Sequence, residues 1–349
     1  MYRTTMISLI GLLLLGCSKG KPADTPHVPS PAPIPVSTEP APLRTVWVHT
    51  ADELQAALLD ARPGDDIELA DGVYNGNFEI AADRDGTADH PIVLRGGTAA
   101  IIDGGSIQTG YALYLQADHW IIRGFSIRNA LKGIVADRTR YSRFDSLEVT
   151  DIGEEAIHLR TFSSRNTVAH CQIANTGLKT PDYGEGVYIG SAKNNWAVYT
   201  NGAPDRCDSN EVLENRIGPG IAAECVDIKE GTTGGLIRGN SFNSIGIQGA
   251  NGADSWIDVK GNRYRIENNT GVNPEGTLLV DGYQVHIASR GWGNYNEFRG
   301  NRCVVNAPGY GILIRLTSPT EGASVGNKVF ADNSASGAGG GLTNIPVTQ

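Results

Sequence analysis

The alternation of apolar and polar residues repeats in six segments of the chain. Each segment begins with a branched or aromatic apolar residue. Three residues further on lies a position of nearly constant residue type, the fixed position, and a second strand-like stretch follows it. Cys171 occupies the fixed position in the earliest segment, and asparagine occupies it in the other five: Asn215, Asn240, Asn269, Asn301 and Asn333. The steps between these asparagines are 25, 29, 32 and 32 residues. Such steps are too irregular for a propeller and indicate the coils of a solenoid, in which buried asparagines satisfy backbone groups.

A second repeated strand lies between the asparagine segments, and its alternation predicts which residues face the core. The predicted inward pairs are Ile157/Leu159, Val187/Ile189, Val226/Ile228, Ile257/Val259, Val285/Ile287 and Ile312/Ile314. Two outward columns are predicted, the first with His158, Tyr188, Asp227, Asp258, His286 and Leu313, the second with Arg160, Gly190, Lys229, Lys260, Ala288 and Arg315. Because coils stack at ~4.8 Å, the members of a column become neighbours in space.

The N-terminal part of the chain has a different pattern. Thr50 and Glu53 have capping-box spacing, and apolar residues follow with helical period. This predicts a helix over residues 51–61 that covers one end of the solenoid, followed by β-rich segments with no further helical period. Residues 18–43 hold eight of the 17 prolines, so we expect an extended linker there and the solenoid domain over residues 44–349.

Residues 1–17 resemble a bacterial lipoprotein signal. Arg3 precedes a short apolar run that ends in Leu-Leu-Gly-Cys17, and the run is too short to span a bilayer. The prediction is a lipid-anchored protein of the bacterial cell envelope, on the outer membrane or cell surface, with Cys17 lipidated. An ordinary secretory signal is the alternative. Membrane contact is expected only through the anchor, and the protein is expected to be a monomer.

The net charge of the chain limits the classes of partner that it can bind, and the positions of its cysteines indicate which of them lie in the core. The formal net charge of −9 disfavours nucleic acid, whose binding depends on phosphate neutralisation. It does not exclude an acidic polysaccharide, because local charge in a cleft can oppose the net sign. Cys171 and Cys303 are predicted to lie in the core. Cys207 and Cys225 can form a disulfide in an oxidising compartment.

One stretch near the start of the domain resembles a known family. The run VHTADELQAALLDARPGDDIELADGVYNGNFEI, followed by GTADHPIVLRGG, is similar to the opening of chondroitinase B-like and alginate-lyase proteins. The resemblance covers roughly residues 45–130, and beyond it only the coil pattern is shared. It implies an all-β fold, a single-stranded right-handed parallel β-helix with a short N-terminal capping helix. It also implies a polysaccharide lyase that acts on an acidic, uronate-containing glycan.

The resemblance also suggests residue roles. In those lyases a glutamate that binds calcium precedes a catalytic lysine by five positions, and an arginine follows one coil later. Glu224 and Lys229 reproduce the first spacing. The family's second glutamate falls on Ala222, and Lys260 is the nearest cationic substitute for the arginine. Ca²⁺ is therefore the cofactor that the resemblance implies.

Two near-identical tripeptides, residues 227–229 and 258–260, carry the strongest chemical signal. Both read Asp-x-Lys, and their stacked like charges repel unless diagonal Asp–Lys pairing, a bound cation or a lysine of depressed pKa offsets the repulsion. A partly neutral lysine can abstract the C5 proton of a uronate, which predicts Lys229 as the base. The uronate carboxylate would then be neutralised by a cationic residue: Lys260, Arg160 or Arg315.

Other residues of the same coils complete the candidate site. Three can donate a proton to the leaving oxygen: Tyr188, His158 and His286. Five carboxylates can supply the hard oxygen ligands that calcium prefers: Glu224, Asp227, Glu230, Asp254 and Asp258. Aromatic residues that can stack on sugars or instead cover coil edges are Trp196, Trp256, Trp292, Tyr183, Tyr199 and Tyr295.

Two alternative functions fit the same residues. A glycoside hydrolase uses two carboxylates and no lysine, so the acidic residues alone would suffice for it. A non-catalytic glycan-binding β-helix would use the Asp and Lys columns only as cross-strand ion pairs.

Overall fold

The computed structural model describes residues 41–249, 252–274 and 277–349. The predicted signal peptide with Cys17, and residues 18–40 of the predicted linker, lie outside the described residues. The envelope location and the lipid anchor therefore stay predictions. Within the described part of the chain, no helix combines the length and the hydropathy that a membrane span requires.

The chain winds through three parallel sheets in the order A, B, C in each coil. Sheet A contains Arg44–Val48, Asp65–Leu69, Ile92–Gly96, Trp120–Arg123, Arg143–Asp145, Thr167–Ala169, Glu211–Leu213, Leu236–Arg238, Arg265–Glu267, Glu297–Arg299 and Lys328–Val329. Sheet B contains Gly72–Asn75, Ala100–Asp103, Ser126–Ala130, Glu148–Ile152, Gln172–Ala174, Arg216–Ile217, Ser241–Asn243, Thr270–Val272, Arg302–Ala307 and Ser334–Ala338. Sheet C contains Phe78–Ile80, Tyr111–Leu115, Lys132–Asp137, Ile157–Arg160, Val187–Ile189, Val226–Ile228, Ile257–Val259, Tyr283–Val285, Tyr310–Ile314 and Gly341–Thr343. This is the predicted right-handed parallel β-helix, with one small antiparallel pair, Thr317–Ser318 and Gly322–Ala323.

A capping helix is present where the sequence predicts it, at Ala51–Leu59. The Thr50 hydroxyl accepts a hydrogen bond from the Glu53 amide at 3.2 Å, so the capping-box spacing does form the N-terminal cap. The three apolar residues on its inner face, Leu54, Ala57 and Leu58, are buried. Short helical turns at Pro181–Tyr183, Lys193–Asn195 and Trp196–Tyr199 were not expected, because each is shorter than the period needed to reveal it.

The repeated asparagines form a buried ladder, as predicted. The Asn240 side-chain oxygen accepts from the backbone amide and the side-chain amide of Asn215, both at 2.9 Å. The Asn240 amide donates to the Val212 carbonyl and to the oxygen of Asn269, again at 2.9 Å. Cys171 joins the ladder through its backbone amide, which donates to Asn215, and through its thiol, which contacts the Phe144 carbonyl at 3.6 Å. Each asparagine therefore satisfies polar groups of two neighbouring coils that water cannot reach.

A second asparagine ladder, which the sequence analysis missed, runs along the turns between sheet C and sheet A. The oxygens of Asn166, Asn210, Asn296 and Asn327 each accept from the backbone amide one coil earlier, at 2.9 Å. In the two coils between these groups Gly235 and Tyr264 occupy the position. The interruption hides the repeat from a pattern search.

The inward residues of sheet C are all buried, as predicted, but the register changes at one coil. Asp227 lies opposite Asp258 as expected, whereas Asp258 lies opposite Gln284 rather than His286. The cause is Tyr283, which is fully buried and packs its ring against Trp256 and other core aromatics. A slip of two residues preserves the inward and outward faces. His286 therefore continues the column of Lys229 and Lys260 instead of the aspartate column.

The four cysteines of the domain are free and buried. This confirms Cys171 and Cys303 as core residues and contradicts the pairing of Cys207 with Cys225. The Cys207 thiol contacts the Asp205 carboxylate at 3.2 Å, while the Cys225 thiol points to the Ile217 carbonyl. The two cysteines thus have separate partners in different parts of the core.

Replacing Asn240 with alanine is expected to lower the free energy of unfolding by about 3 kcal/mol, because buried groups of two neighbouring coils lose their partners. Chemical denaturation of the purified domain measures the change. Asn243→Ala is the matched control, since among the described residues the Asn243 side chain bonds only the amide of the exposed Ile245, and it should cost less than about 1 kcal/mol. Equal losses in the two variants would contradict a structural role for the ladder.

Candidate functional site

A cavity of about 670 Å³ opens over the outer face of sheet C. Its floor is formed by strands from Val187–Ile189 to Tyr283–Val285, and its walls by loop residues around 182–183, 192–195 and 252–253. Many of the residues singled out from the sequence line it: Tyr183, Tyr188, Glu224, Asp227, Lys229, Glu230, Asp258, Lys260 and His286. The stacking of coils therefore does assemble these residues, which are distant in sequence, into one site.

Asp227 lies at the centre of the site and pairs with both lysines. The Lys229 ammonium group contacts one oxygen of Asp227, and the Lys260 ammonium group lies 2.9 Å from the other. Lys260 also lies 2.5 Å from Asp258. Diagonal Asp–Lys pairing, a bound cation or a lysine of depressed pKa was expected to offset the repulsion between like charges. The structure contains the first of these, diagonal Asp–Lys pairing. Both lysines lie on the same wall, as the prediction required.

The carboxylates around the lysines keep them charged. Burial disfavours the ammonium form of Lys229, but the charges of Asp227, Glu185 and Glu224 outweigh it and raise the lysine pKa above its ordinary value. The pKa of Lys260 is raised for the same reason, with burial and Lys229 opposing and the two aspartates prevailing. The alternative in which a lysine of depressed pKa offsets the repulsion is therefore wrong for the free protein.

Three carboxylates of the cavity have oxygens within 4.8 Å of one another: Glu185, Glu224 and Asp227. Burial, together with the charges of Asp227 and Asp258, raises the pKa of Glu224 to about 8. Burial and neighbouring carboxylates raise the pKa of Glu185 well above its ordinary value. One oxygen of Glu185 is buried without a hydrogen-bond partner among the described residues. Clustered carboxylates with an unused oxygen suit a hard divalent cation such as Ca²⁺.

Glu185 was missed by the sequence analysis, although a signal was present. Glu155, Glu185 and Glu224 each precede the first inward residue of a sheet C strand by two positions, in three successive coils. They form a third column beside the two that were predicted. Glu155 contacts Lys132 and His158, so only the other two glutamates are directed to the cavity.

The other proposed calcium ligands have different partners. Glu230 is buried in the cavity and accepts from the Lys193 amide at 2.7 Å. Asp258 pairs with Lys260 and His286. Asp254 accepts from the Gln284 side chain at 2.7 Å and does not line the cavity. The structure thus places Glu224 and Asp227, but not these three, in the cluster with Glu185.

Two potential proton donors face the cavity. Tyr188 is buried below the Lys229 ammonium group, which lies 4.8 Å from its ring centre, and burial with the charge of Asp227 raises the tyrosine pKa well above its ordinary value. His286 bonds Asp258 at 2.9 Å, and that charge raises the histidine pKa against the effect of burial. Both side chains are therefore protonated more readily than in water.

Three other predicted residues lie outside the cavity. His158 is buried beneath the Tyr188 ring and bonds the Gly190 carbonyl at 2.9 Å. Arg160 is buried in an ion pair with Asp137 at 2.8 Å and also contacts two tyrosine hydroxyls. Arg315 is exposed, two coils beyond Lys260. None of the three is brought to the pair of lysines.

The predicted tryptophan walls are also absent from the cavity lining. Trp256 is fully buried, because Gly271 leaves the space that its ring occupies, so its assignment to substrate is wrong. Trp196 is buried, donates to the Ser191 carbonyl at 2.9 Å and seals the loop after that residue. Trp292 is half-buried outside the cavity. The aromatic lining consists of Tyr183, half-exposed, and Tyr188.

Comparison with known proteins agrees with the fold. The model of the family described as Chondroitinase B matches residues 48–290. The crystal structure of an alginate lyase from Paenibacillus sp. str. FPU-7 is 41% identical, with 88% of this chain and 99% of that chain covered and a TM-score of 0.80. None of the curated proteins matches the chain.

Two more distant structures share the fold. A mutant of the PL6 family alginate lyase AlyGC is 18% identical, with 86% of this chain and 40% of that chain covered and a TM-score of 0.61. Pectate lyase Pel9A is 14% identical, with 88% and 82% covered and a TM-score of 0.62. At these identities the likeness concerns the β-helix alone. With the family match over most of the domain, the chain belongs to the chondroitinase B family and is a polysaccharide lyase.

Proposed function

We propose that this protein cleaves a uronate-containing glycan, with alginate as the first candidate, by β-elimination. The observation that carries the proposal is the placement of Lys229 and Lys260 side by side on one cavity wall, both paired with Asp227. Similarity to the Paenibacillus alginate lyase supports the substrate class. Lys229 and Lys260, with Lys193 in the cavity wall, also give a carboxylate-bearing sugar local partners.

Lys229 is assigned as the base. In β-elimination the base takes the proton from C5, the bond from C4 to the glycosidic oxygen breaks, and a double bond forms between C4 and C5. The carboxylates beside Lys229 hold it in the ammonium form in the free protein, so it must lose a proton before it can act. A divalent cation held by Glu185, Glu224 and Asp227 would offset those carboxylate charges and favour the neutral amine.

Lys260 is assigned to the carboxylate of the sugar. The C5 proton becomes acidic only when that carboxylate is neutralised, because negative charge develops beside it during abstraction. Arg160 and Arg315, the other two candidates, lie outside the cavity. Lys260 stays protonated because Asp227 and Asp258 raise its pKa, and a cation that keeps its charge suits this role.

Tyr188 is assigned as the donor of a proton to the leaving oxygen. It lines the cavity next to Lys229, and its raised pKa keeps the hydroxyl protonated until the oxygen departs. His286 lies two residues after Gln284, the residue opposite Asp258, and its ring bonds the Asp258 carboxylate. We therefore give His286 a place in substrate contact rather than in proton donation.

Lys229→Ala is expected to lower the rate of alginate cleavage by at least about 10²-fold, since general base catalysis contributes at least that much. The assay follows ultraviolet absorbance of the unsaturated product. Lys179→Ala, which changes an exposed lysine whose ammonium group donates to the Gln108 carbonyl, is the control and should retain full activity. Full activity of a folded Lys229→Ala variant would refute the assignment.

The same assay separates the proposed function from its two alternatives. Reducing ends without new absorbance would indicate the glycoside hydrolase, whereas retention on a glycan column with neither signal would indicate a binding protein. Family membership favours the lyase, and the expected result is new absorbance with alginate as substrate.

Calcium is expected to raise the melting temperature of the wild-type protein, because a ligand that binds only the folded state stabilises it. Glu185→Gln should abolish the shift, since it removes one of the three clustered carboxylates. Glu230→Gln is the matched control in the same cavity and should keep the shift. The readout needs no activity. An equal shift in the Glu185→Gln variant would contradict a cation site at these carboxylates.

A further inference from the structure

A column of residues, most of them exposed, runs along the corner between sheet C and sheet A, away from the cavity. Each member immediately precedes a position of the second asparagine ladder and lies two residues before a sheet A strand, so the members stack coil on coil. Six successive members of the column are Tyr141, Arg165, Ser209, Gly234, Arg263 and Tyr295. All six have positive φ, a shared backbone turn that directs the side chains of the five non-glycine members alike.

The two ends of this column carry arginines that rest on aromatic rings. The Arg165 guanidinium lies 5.8 Å from the Tyr141 ring centre, and Tyr141 in turn stacks on His119. The Arg263 guanidinium lies 4.7 Å from the Tyr295 ring centre. Contact with a ring face reduces the freedom of an arginine side chain. Both arginines are thus held in place although both are exposed.

Between the two arginines the column is empty of large side chains. Ser209 and Gly234 are the residues of the two intervening coils, and a side chain added at Gly234 would meet nothing closer than the Ser209 hydroxyl at 3.9 Å. Three steps of ~4.8 Å separate Arg165 from Arg263, which leaves a gap of ~14 Å. The floor is firm, because Arg165 and Ser209 both donate backbone hydrogen bonds to the next coil.

The gap adjoins a groove of about 420 Å³ that is rich in positive charge. Arg140, Arg165 and Arg206 line it, with Asp208 as its acidic residue. Asp208 is already paired with Arg206 at 2.7 Å. Among the described residues, neither Arg165 nor Arg263 lies within ion-pair distance of a carboxylate, and Arg140 has Asp118 as an acidic neighbour. A chain of net charge −9 therefore has a cationic strip at this corner.

We propose that this corner is a second binding site for an acidic polysaccharide, separate from the cavity. The guanidinium groups of Arg165 and Arg263 pair with carboxylates of the sugar chain at the two ends of the gap, and a sugar ring occupies the floor over Ser209 and Gly234. Planar guanidinium groups match carboxylates in a bidentate manner. The site would hold a long glycan on the enzyme while the cavity acts on another part of it. The assignment rests on the corner residues and not on the proposed lyase activity.

The test is the electrophoretic mobility of the folded protein in native gels that contain alginate polymer. The gels are run with the wild-type protein, or with the Lys229→Ala variant if the wild-type protein degrades the polymer. Arg165→Ala combined with Arg263→Ala should weaken the apparent affinity for alginate by at least about fivefold, from the loss of two exposed charge contacts. Arg302→Ala, at an exposed arginine of sheet B, is the control and should have no effect. A polyglutamate gel tests for a polyanion without sugar rings, and it should retard the protein less than alginate does.

A second variant tests the gap itself. Ser209→Tyr fills the floor with a residue that the same backbone turn accommodates at Tyr141 and Tyr295, and it leaves both arginines in place. Alginate affinity should fall while the melting temperature and the cleavage of short oligosaccharides stay unchanged. Unchanged affinity in the double arginine variant, an equal loss in Arg302→Ala, or equal retardation by polyglutamate would overturn the proposal.

Discussion

Buried asparagine side chains hold each coil of this solenoid to the next, and the register that they fix determines which side chains meet. The amide of Asn240 bonds groups of the coils on both sides of it, so a shift of one coil would leave several buried groups without partners. Lys229 and Lys260 come from different coils, 31 positions apart in the chain. They share Asp227 only because their strands are stacked in this one alignment.

The charges of the cavity are arranged for function rather than for stability. Asp227 and Asp258 are buried with two lysines, and burial of ion pairs often costs more free energy than the attraction returns. Glu185 and Glu224 add carboxyl groups whose pKa values are raised by burial and by the neighbouring carboxylates. A carboxylate-bearing substrate and a divalent cation would redistribute these interactions in opposite directions. On the proposed mechanism Lys229 would lose its proton once both are bound, whereas Lys260 would keep its charge.

The sequence predicted the coil repeat, the capping helix and the strands that carry Asp227, Lys229, Asp258 and Lys260, because these depend on alternation and spacing alone. It did not predict that Tyr283 would enter the core, since a tyrosine fits either face of a strand, and the register of His286 was wrong by two residues for that reason. Trp256 was assigned to the surface because the sequence does not reveal the space beside Gly271, which forms only when the coils pack against one another. Glu185 was missed because its column becomes evident only when three coils are aligned.

A crystal structure of the Lys229→Ala variant with a uronate tetrasaccharide tests the central assignment most directly. One sugar ring is expected in the cavity with C5 directed to position 229 and its carboxylate within ion-pair distance of the Lys260 ammonium group. A carboxylate turned away from Lys260, or an oligosaccharide bound with no ring over sheet C, would contradict it.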